Sequence, residues 1–546
     1  MRFMDKDLSA KMEYIFNKVE VLTPYGLRNK KSMKPYKPGQ EDKLIQEHME
    51  VAIVKSLIED DKKRSQKIIE ILAHVKDITT SVERSKQEVL TEIDIYEIKN
   101  FLLQLVEIEK LIKDIVKILP NDMHVYGIPS LMKILDPNDE KMGTFYIYDA
   151  YSKQLESLRK NKKITEQKIN TERQNIKKIL DEEYSISVTP KGEVHIIKDN
   201  ETQIERVKGI PFLYFYSESY LHYIYAIKET QEILAFKAQL ETIKHQIEDE
   251  EYRIKQMISK EIYSYYQDLK KNMLHLGNLD FRMAKANMAI NTNAIQPKIN
   301  KKHQIKILNG RHLEVEEMLN KKNEVYMPIS ISLEKGVTCI TGANMGGKTI
   351  TLELTAITAA MAQYGLFVPC KNLEMGLSNY IFTNMGDHQS ISRGLSSFGG
   401  EIEDIQRALE NREDRGLLLI DEFASGTNPF EGWAISKGLI KYMNHRNDIT
   451  VMTTHYDRIA TDKAVVNMQV MGLSRIDYEK LKREIEFAQK KDKLRIIRKY
   501  MDYRLKKINT TNDVPKDALK IAALMGFDKE IIEEAEKQYN SNLLDD

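Results

Sequence analysis

The segment of this chain best suited to chemistry is Gly342-Ala-Asn-Met-Gly-Gly-Lys-Thr349. It fits G-x-x-x-x-G-K-[ST] in full, follows the apolar run Val337–Thr341 and precedes the helix-like run Ile350–Met361. Strand, loop and helix in that order are the context a phosphate-binding loop requires. Gly342, Gly346 and Gly347, with Asn344 in the same loop, let backbone N–H groups close around phosphate oxygens at a helix N-terminus. Lys348 then supplies a point charge to the β- and γ-phosphates of ATP, and the Thr349 hydroxyl is expected to ligate Mg2+.

Two more apolar runs end in reactive side chains. Leu417-Leu-Leu-Ile420 leads into Asp421-Glu422. Asp421 would hold Mg2+, directly or through water, and Glu422 would position or deprotonate the attacking water. Ile449–Thr453 leads into Thr454-His455, where a histidine could reach the γ-phosphate. Three strand ends meeting at one carboxyl edge make a doubly wound ligand site. The reading is an ABC-type P-loop ATPase whose catalytic pair is Glu422 and His455.

The elements that must carry these residues differ between the two halves of the chain. After about residue 300, strand-length apolar runs alternate with helices and glycine loops, which implies a mostly parallel sheet covered by helices. A boundary falls near Asn291–Lys301. Before it, no Gly or Pro occurs from Glu41 to Leu119 or from Phe212 to Leu276, and both runs predict long helices. Leu240, Ile243, Ile247, Ile254, Ile258, Ile262, Tyr265 and Leu269 form a seam of coiled-coil or long-bundle type. Ser185–Lys198, turning at Pro190-Lys191-Gly192, predicts a small hairpin between helices. Arg159, Lys160, Lys162, Lys163, Lys168, Arg173, Lys177 and Lys178 make the most basic helical stretch, suited to phosphates or simply to solvent.

The 546 residues suggest about three or four structural units. With 83 basic against 82 acidic side chains, the net charge is +1, which argues against a protein living wholly on nucleic-acid phosphates. Two cysteines, Cys339 and Cys370, make neither a disulfide framework nor a zinc cluster and suit a reducing cytoplasm. The N-terminus has no apolar h-region, and no run of eighteen apolar residues occurs, so no membrane association is expected.

At its motifs the chain resembles the MutS family of ATPases. Thr341-Gly-Ala-Asn-Met-Gly-Gly-Lys-Thr349 is similar to that family's TGPNMGGKS, with Ala343 in place of proline. Asp421-Glu-Phe-Ala-Ser-Gly-Thr-Asn-Pro-Phe-Glu-Gly432 resembles the branch whose members carry a C-terminal nuclease domain, and Thr453-Thr-His-Tyr456 resembles its switch motif. Leu395-Ser-Ser-Phe398 is similar to the signature stretch; the resemblance implies that Ser396 and Ser397 reach across a dimer to the other subunit's γ-phosphate. Gly310-Arg-His312 and Tyr326-Met-Pro328 resemble the segments ahead of the P-loop, which implies that Tyr326 stacks on adenine. Val514-Pro-Lys-Asp-Ala518 through Gly526 and Glu534 resembles the C-terminal dimerisation helices.

The resemblance implies an α/β ABC-type P-loop ATPase domain at 301–485, a long all-α lever and clamp region within 1–300 (clamp about 150–250), and a helical dimerisation segment at 486–546. It also implies a homodimer with composite ATP sites. No Phe-x-Glu element occurs in the sequence, neither the reading domain that carries it nor a nuclease domain after Asp546 is expected, and Gly399-Gly400-Glu401 departs from the branch's usual continuation. Two functions remain open. One is ATP-dependent binding of mismatched or branched DNA between helical arms. The other is remodelling of a protein client, as in MutS-related proteins that reactivate an adenosylcobalamin-dependent lysine aminomutase, which Asn467-Met-Gln-Val-Met-Gly472 and Tyr500-Met-Asp-Tyr503 also resemble.

Overall fold

The computed structural model describes residues 3–141, 144–342, 347–385, 397–410, 414–456, 459, 464–473, 478–486, 493–508 and 517–542. They form two compact units, each assembled from separate stretches of chain. Met1–Ala73, Asp114–His124 and His275–Asp546 make one; His74–Lys113 and Val125–Leu274 make the other. The first 73 residues, helical in texture, therefore fold with the P-loop half.

At the centre of the first unit is a six-stranded sheet in the order Asp502–Lys507, Val466–Gly472, Gly336–Thr341, Ile449–Thr453, Leu417–Ile420, Ile381–Asn384. Its neighbours are parallel, except that the Asp502–Lys507 edge runs antiparallel to Val466–Gly472. Every residue of Leu417–Ile420 and of Ile449–Thr453 is buried, as unbroken apolar strands covered on both faces must be. Register pairs Ile420 with Met452 and Thr453 with Ile340, so these strands end level. A smaller sheet orders Lys298–Asn300, Asn372–Gly376, Gln304–Gly310 and Ile329–Glu334. Helix Lys348–Gln363 is packed between neighbours along most of its length, with Leu352, Ala356, Ala359 and Ala360 wholly buried. Its alanines allow the close approach that dense packing needs.

A buried ionic cluster holds the far end of that helix. Gly365, at φ +71°, leaves the helix where a Cβ would come within 3.0 Å of Glu47 Cγ and 3.3 Å of Lys285 Nζ. Lys285 Nζ lies 2.7 Å from Glu47, and Arg282 contacts Glu47 at 3.3 Å, Asp122 at 2.9 Å and also Glu50. Burial pulls the Lys285 ammonium below its ordinary range, and Glu47 opposes that shift.

In the second unit, helices Lys153–Glu182 and Gln231–Ser264 lie side by side and antiparallel: Arg159 meets Glu251, Lys168 stands over Phe236 and Arg173 meets Glu229. Ile243, Ile254, Ile258 and Ile262 of the expected seam are buried on the second helix. The structure corrects two expectations here. Phe212–Leu276 is not helical throughout, because Leu213–Glu218 and His222–Ile227 form an antiparallel hairpin. Aromatic and β-branched side chains prefer a pleated surface, and Ser219 turns the chain without glycine by bonding to His222. Nor is Ser185–Lys198 a self-contained hairpin: only Glu193–Ile197 is a strand, and its partner is His222–Ile227. The region is therefore not all-α. Its three-stranded sheet shares a core of Ile169, Ile176, Leu180, Val194, Ile196 and Tyr225 with the helix pair. The other breaker-free run, Glu41–Leu119, is likewise cut by polar caps rather than Gly or Pro. Asp61 caps the helix starting at Lys62, and Thr91 with Asp94 forms a capping box before Glu92–Ile112.

Removing one charge from the buried cluster should be costly. Glu47→Gln is expected to lower unfolding stability by about 3 kcal/mol, because Lys285 and Arg282 lose a buried counter-charge. Urea unfolding followed by circular dichroism measures it; a shift within error of zero would show that Glu50 and Asp122 suffice.

Candidate nucleotide site

Gly347 opens the P-loop helix in the left-handed region (φ +74°), and Gly342 sits at φ +135°. Both conformations disfavour a side chain. A Cβ on Gly342 would come within 3.2 Å of Val470, and one on Gly347 within 2.9 Å of the Tyr503 ring. Lys348, the first helical residue, is 3% exposed and folds back to donate to the Gly342 carbonyl at 2.8 Å. Its ammonium lies 3.4 Å from Glu422 Oε1. Burial lowers the Lys348 pKa, and the Glu422 and Asp421 charges oppose that shift.

The two carboxylates at the end of Leu417–Ile420 are held by different partners. The Thr349 hydroxyl donates to Asp421 Oδ2 at 2.5 Å, the Thr453 hydroxyl donates to Oδ1, and the Asp421 N–H donates to the Asn384 carbonyl at 2.7 Å. Glu422 Oε1 is 2.6 Å from His455 Nε2. That hydrogen bond, followed by Lys348, keeps the Glu422 carboxyl below its usual range, so it is ionised at neutral pH. The Glu422 N–H donates 2.9 Å to Thr453 Oγ1 while its backbone turns to φ +46°. His455 leaves the neighbouring strand, anchored by the Thr454 N–H on the Ile340 carbonyl at 3.1 Å.

Lys348, Thr349, Asp421, Glu422 and His455 are thus brought into one cluster beside Gly342 and Gly347. Tyr326 is not among these contacts: its hydroxyl accepts from the His312 N–H at 3.1 Å, and burial pushes its phenol pKa up to about 12. Asn344, Gly346 and Ser396 lie outside the described residues, and Ser397 is described only as the start of helix Ser397–Glu410. A threonine hydroxyl beside an aspartate is the sparse oxygen set Mg2+ accepts while keeping most of its waters. Thr349 and Asp421 therefore fit the ion.

Several supporting residues escaped the motif reading. Thr453 ends a strand as an ordinary β-branched residue, yet its hydroxyl joins Asp421 to the Glu422 backbone. Glu401, where the chain departs from the MutS pattern, is 4% exposed and accepts from the Ala424 N–H at 2.9 Å. Ala424 stands at φ +61°, and its carbonyl accepts from the Tyr456 hydroxyl at 2.8 Å. Tyr503 reaches Gly347 from the antiparallel edge strand. None of these contacts has a sequence spacing that would announce it.

Thr453→Val keeps the shape of the strand and removes the shared hydroxyl. Loss of such outer contacts typically costs about tenfold or more in activity. We expect ATP turnover to fall by about that factor with binding of a fluorescent ATP analogue retained; undiminished phosphate release would show that Asp421 is held without Thr453.

Residues 338–542 match the family model described as MutS domain V. Among curated proteins, the chain is 34% identical over 218 residues to endonuclease MutS2 of Acetivibrio thermocellus, covering 40% of this chain and 27% of that protein. It is 31% identical over 320 residues to endonuclease MutS2 of Halothermothrix orenii, covering 57% and 39% of the two. It is 35% identical over 213 residues to the same-named protein of Pediococcus pentosaceus, covering 39% and 27%. The alignments thus span between 27% and 39% of these relatives. The P-loop, the carboxylate pair and the switch histidine all fall inside the stretch that matches MutS domain V, so the nucleotide half of this chain is similar to the ATPase domain of that family.

Proposed function

We propose that the chain binds ATP with Mg2+ and hydrolyses it as a homodimer, using the nucleotide cycle to change its grip on DNA. The observation that carries this reading is the Glu422–His455–Lys348 cluster. The Glu422 carboxylate is ionised and oriented by His455 at 2.6 Å. It is placed to align water and accept its proton. Lys348 exchanges Glu422 for phosphate oxygens when the nucleotide enters, which frees the carboxylate for the water. Thr349 and Asp421 would hold Mg2+, whose chemistry is to neutralise charge on the β- and γ-phosphates. His455, on a different strand from Glu422, reports the γ-phosphate and orients the base. Ser396 and Ser397 complete the site of the opposite subunit, and Tyr326 stacks on adenine. Helices Lys153–Glu182 and Gln231–Ser264 serve as the lever and clamp arms.

A protein client is the second reading, and two observations favour it. Much of the basic stretch is engaged internally: Arg159 with Asp149 and Glu251, Arg173 with Glu229, Lys178 with Glu182, and Lys168 over Phe236. The sheet at the end of the arms instead exposes Tyr214, Phe215, Tyr216, Leu221 and Tyr220, the last at 93%. Exposed aromatic side chains gathered on one small sheet suit protein contact.

Lys348→Ala is expected to abolish nucleotide binding, and Glu422→Gln to bind ATP but not turn it over, accumulating an ATP-bound dimer. Full turnover by the Glu422 variant would remove it as the base. Fluorescence anisotropy with duplex, mismatched and branched DNA across a salt series separates the two clients. Binding that weakens steeply with salt and stimulates hydrolysis supports DNA; basal hydrolysis without a DNA response rejects it in favour of a protein.

A further inference from the structure

Helices Tyr478–Glu486, Lys493–Tyr500, Asp517–Met525 and Lys529–Asn542, all in the first unit, surround a cavity of about 380 Å³. None of the residues lining it belongs to the nucleotide site. Its floor is apolar and built: Ile485 and Leu524 are 2% and 5% exposed and share a small core with Leu481 and Ile497. Phe527 stands at the rim, 56% exposed. Three lysines line the walls, Lys482, Lys493 and Lys529, against one carboxylate, Glu533. Among the described residues none of the three ammonium groups is in an ion pair. Lys493 reaches over Gly526, where a Cβ would lie 3.5 Å from its Nζ.

Lys482 and Lys529 are exposed and Lys493 is half-buried, and what sets them apart is the absence of a partner. On the outer face of Lys529–Asn542, Lys537 pairs with Glu534 within one helical turn. The three cavity lysines come from three helices, and although Glu533 stands four residues after Lys529 and Glu479 three before Lys482, none of these carboxylates forms an ion pair with them among the described residues. Like charges gathered around a concave, low-dielectric wall raise a positive potential inside it, and an anion entering there relieves their repulsion. The volume lies within the range of small-molecule sites, which are typically apolar with a few convergent polar groups. The aromatic rim and apolar floor select a ligand with a hydrophobic body.

We propose that this cavity binds a metabolite-sized organic anion carrying an apolar or aromatic body, with its charged group on Lys482, Lys493 and Lys529 and its body against Leu524 and Phe527. The site is separate from the ATP site and does not depend on the proposed function. The probe is 8-anilinonaphthalene-1-sulfonate, titrated into the full chain with saturating Mg2+–ATP present. Saturable fluorescence enhancement that weakens with salt is expected. Hydrogen bonds to charged groups are worth enough that Lys493→Met with Lys529→Met should weaken the probe by about tenfold. The neutral analogue N-phenyl-1-naphthylamine should bind the two proteins alike. Far-ultraviolet circular dichroism and unchanged ATP turnover confirm that the double variant is folded. Equal sulfonate affinity in wild type and variant would overturn the proposal, leaving only an apolar patch. So would a signal seen only when ATP is left out, which would place the probe at the nucleotide site.

Discussion

Two adjacent carboxylates, Asp421 and Glu422, must stand at the end of a strand that is buried along its whole length, and the site is organised around meeting those charges separately. Asp421 is met by hydroxyls, Thr349 from the P-loop helix and Thr453 from the neighbouring strand. Glu422 is met by cationic or ring nitrogen, Lys348 and His455. Had both carboxylates shared one set of partners, mutual repulsion would have raised one pKa and removed a base. Separation keeps both available for different tasks.

That separation depends on register. Parallel pairing places Thr453 beside Ile340 and Met452 beside Ile420, so P-loop, carboxylates and histidine leave the sheet at one level. A shift of one residue would turn the Thr453 hydroxyl to the opposite face. The strands are apolar on both faces, which binds them into the core but leaves their level to be decided by packing. Outside the sheet, backbone positions at positive φ hold the loops in place: Gly347 against Tyr503, Ala424 between Glu401 and Tyr456.

The helix carrying Lys348 and Thr349 is fixed at both ends by different physics. Its N-terminus sits among the charges of the site. Its far end rests on the ionic cluster of Glu47, Arg282 and Lys285, on helices Glu41–Asp60 and Tyr266–Asn291. The cluster is excluded from water, so it resists being pulled apart more than a surface ion pair does. The first unit thus ties its N-terminal helices rigidly to the helix that presents Lys348, although nothing in the motifs links them.

By itself the sequence carried the resemblance to the MutS family and the chemistry expected of it. A P-loop, a strand ending in Asp421-Glu422 and a strand ending in Thr454-His455 carry their roles locally, because phosphate cradling and a buried strand's apolar run are short-range properties. Long-range facts were not legible there. The run from Phe212 reads as helix until Leu213–Glu218 finds a partner in His222–Ile227, since β-pairing depends on a neighbour that helix propensity does not sense. Thr453, Glu401 and Tyr503 look ordinary until folding brings them against Asp421, Ala424 and Gly347. Tertiary structure alone decided those, because a hydrogen bond between residues far apart in the chain leaves no periodicity in it.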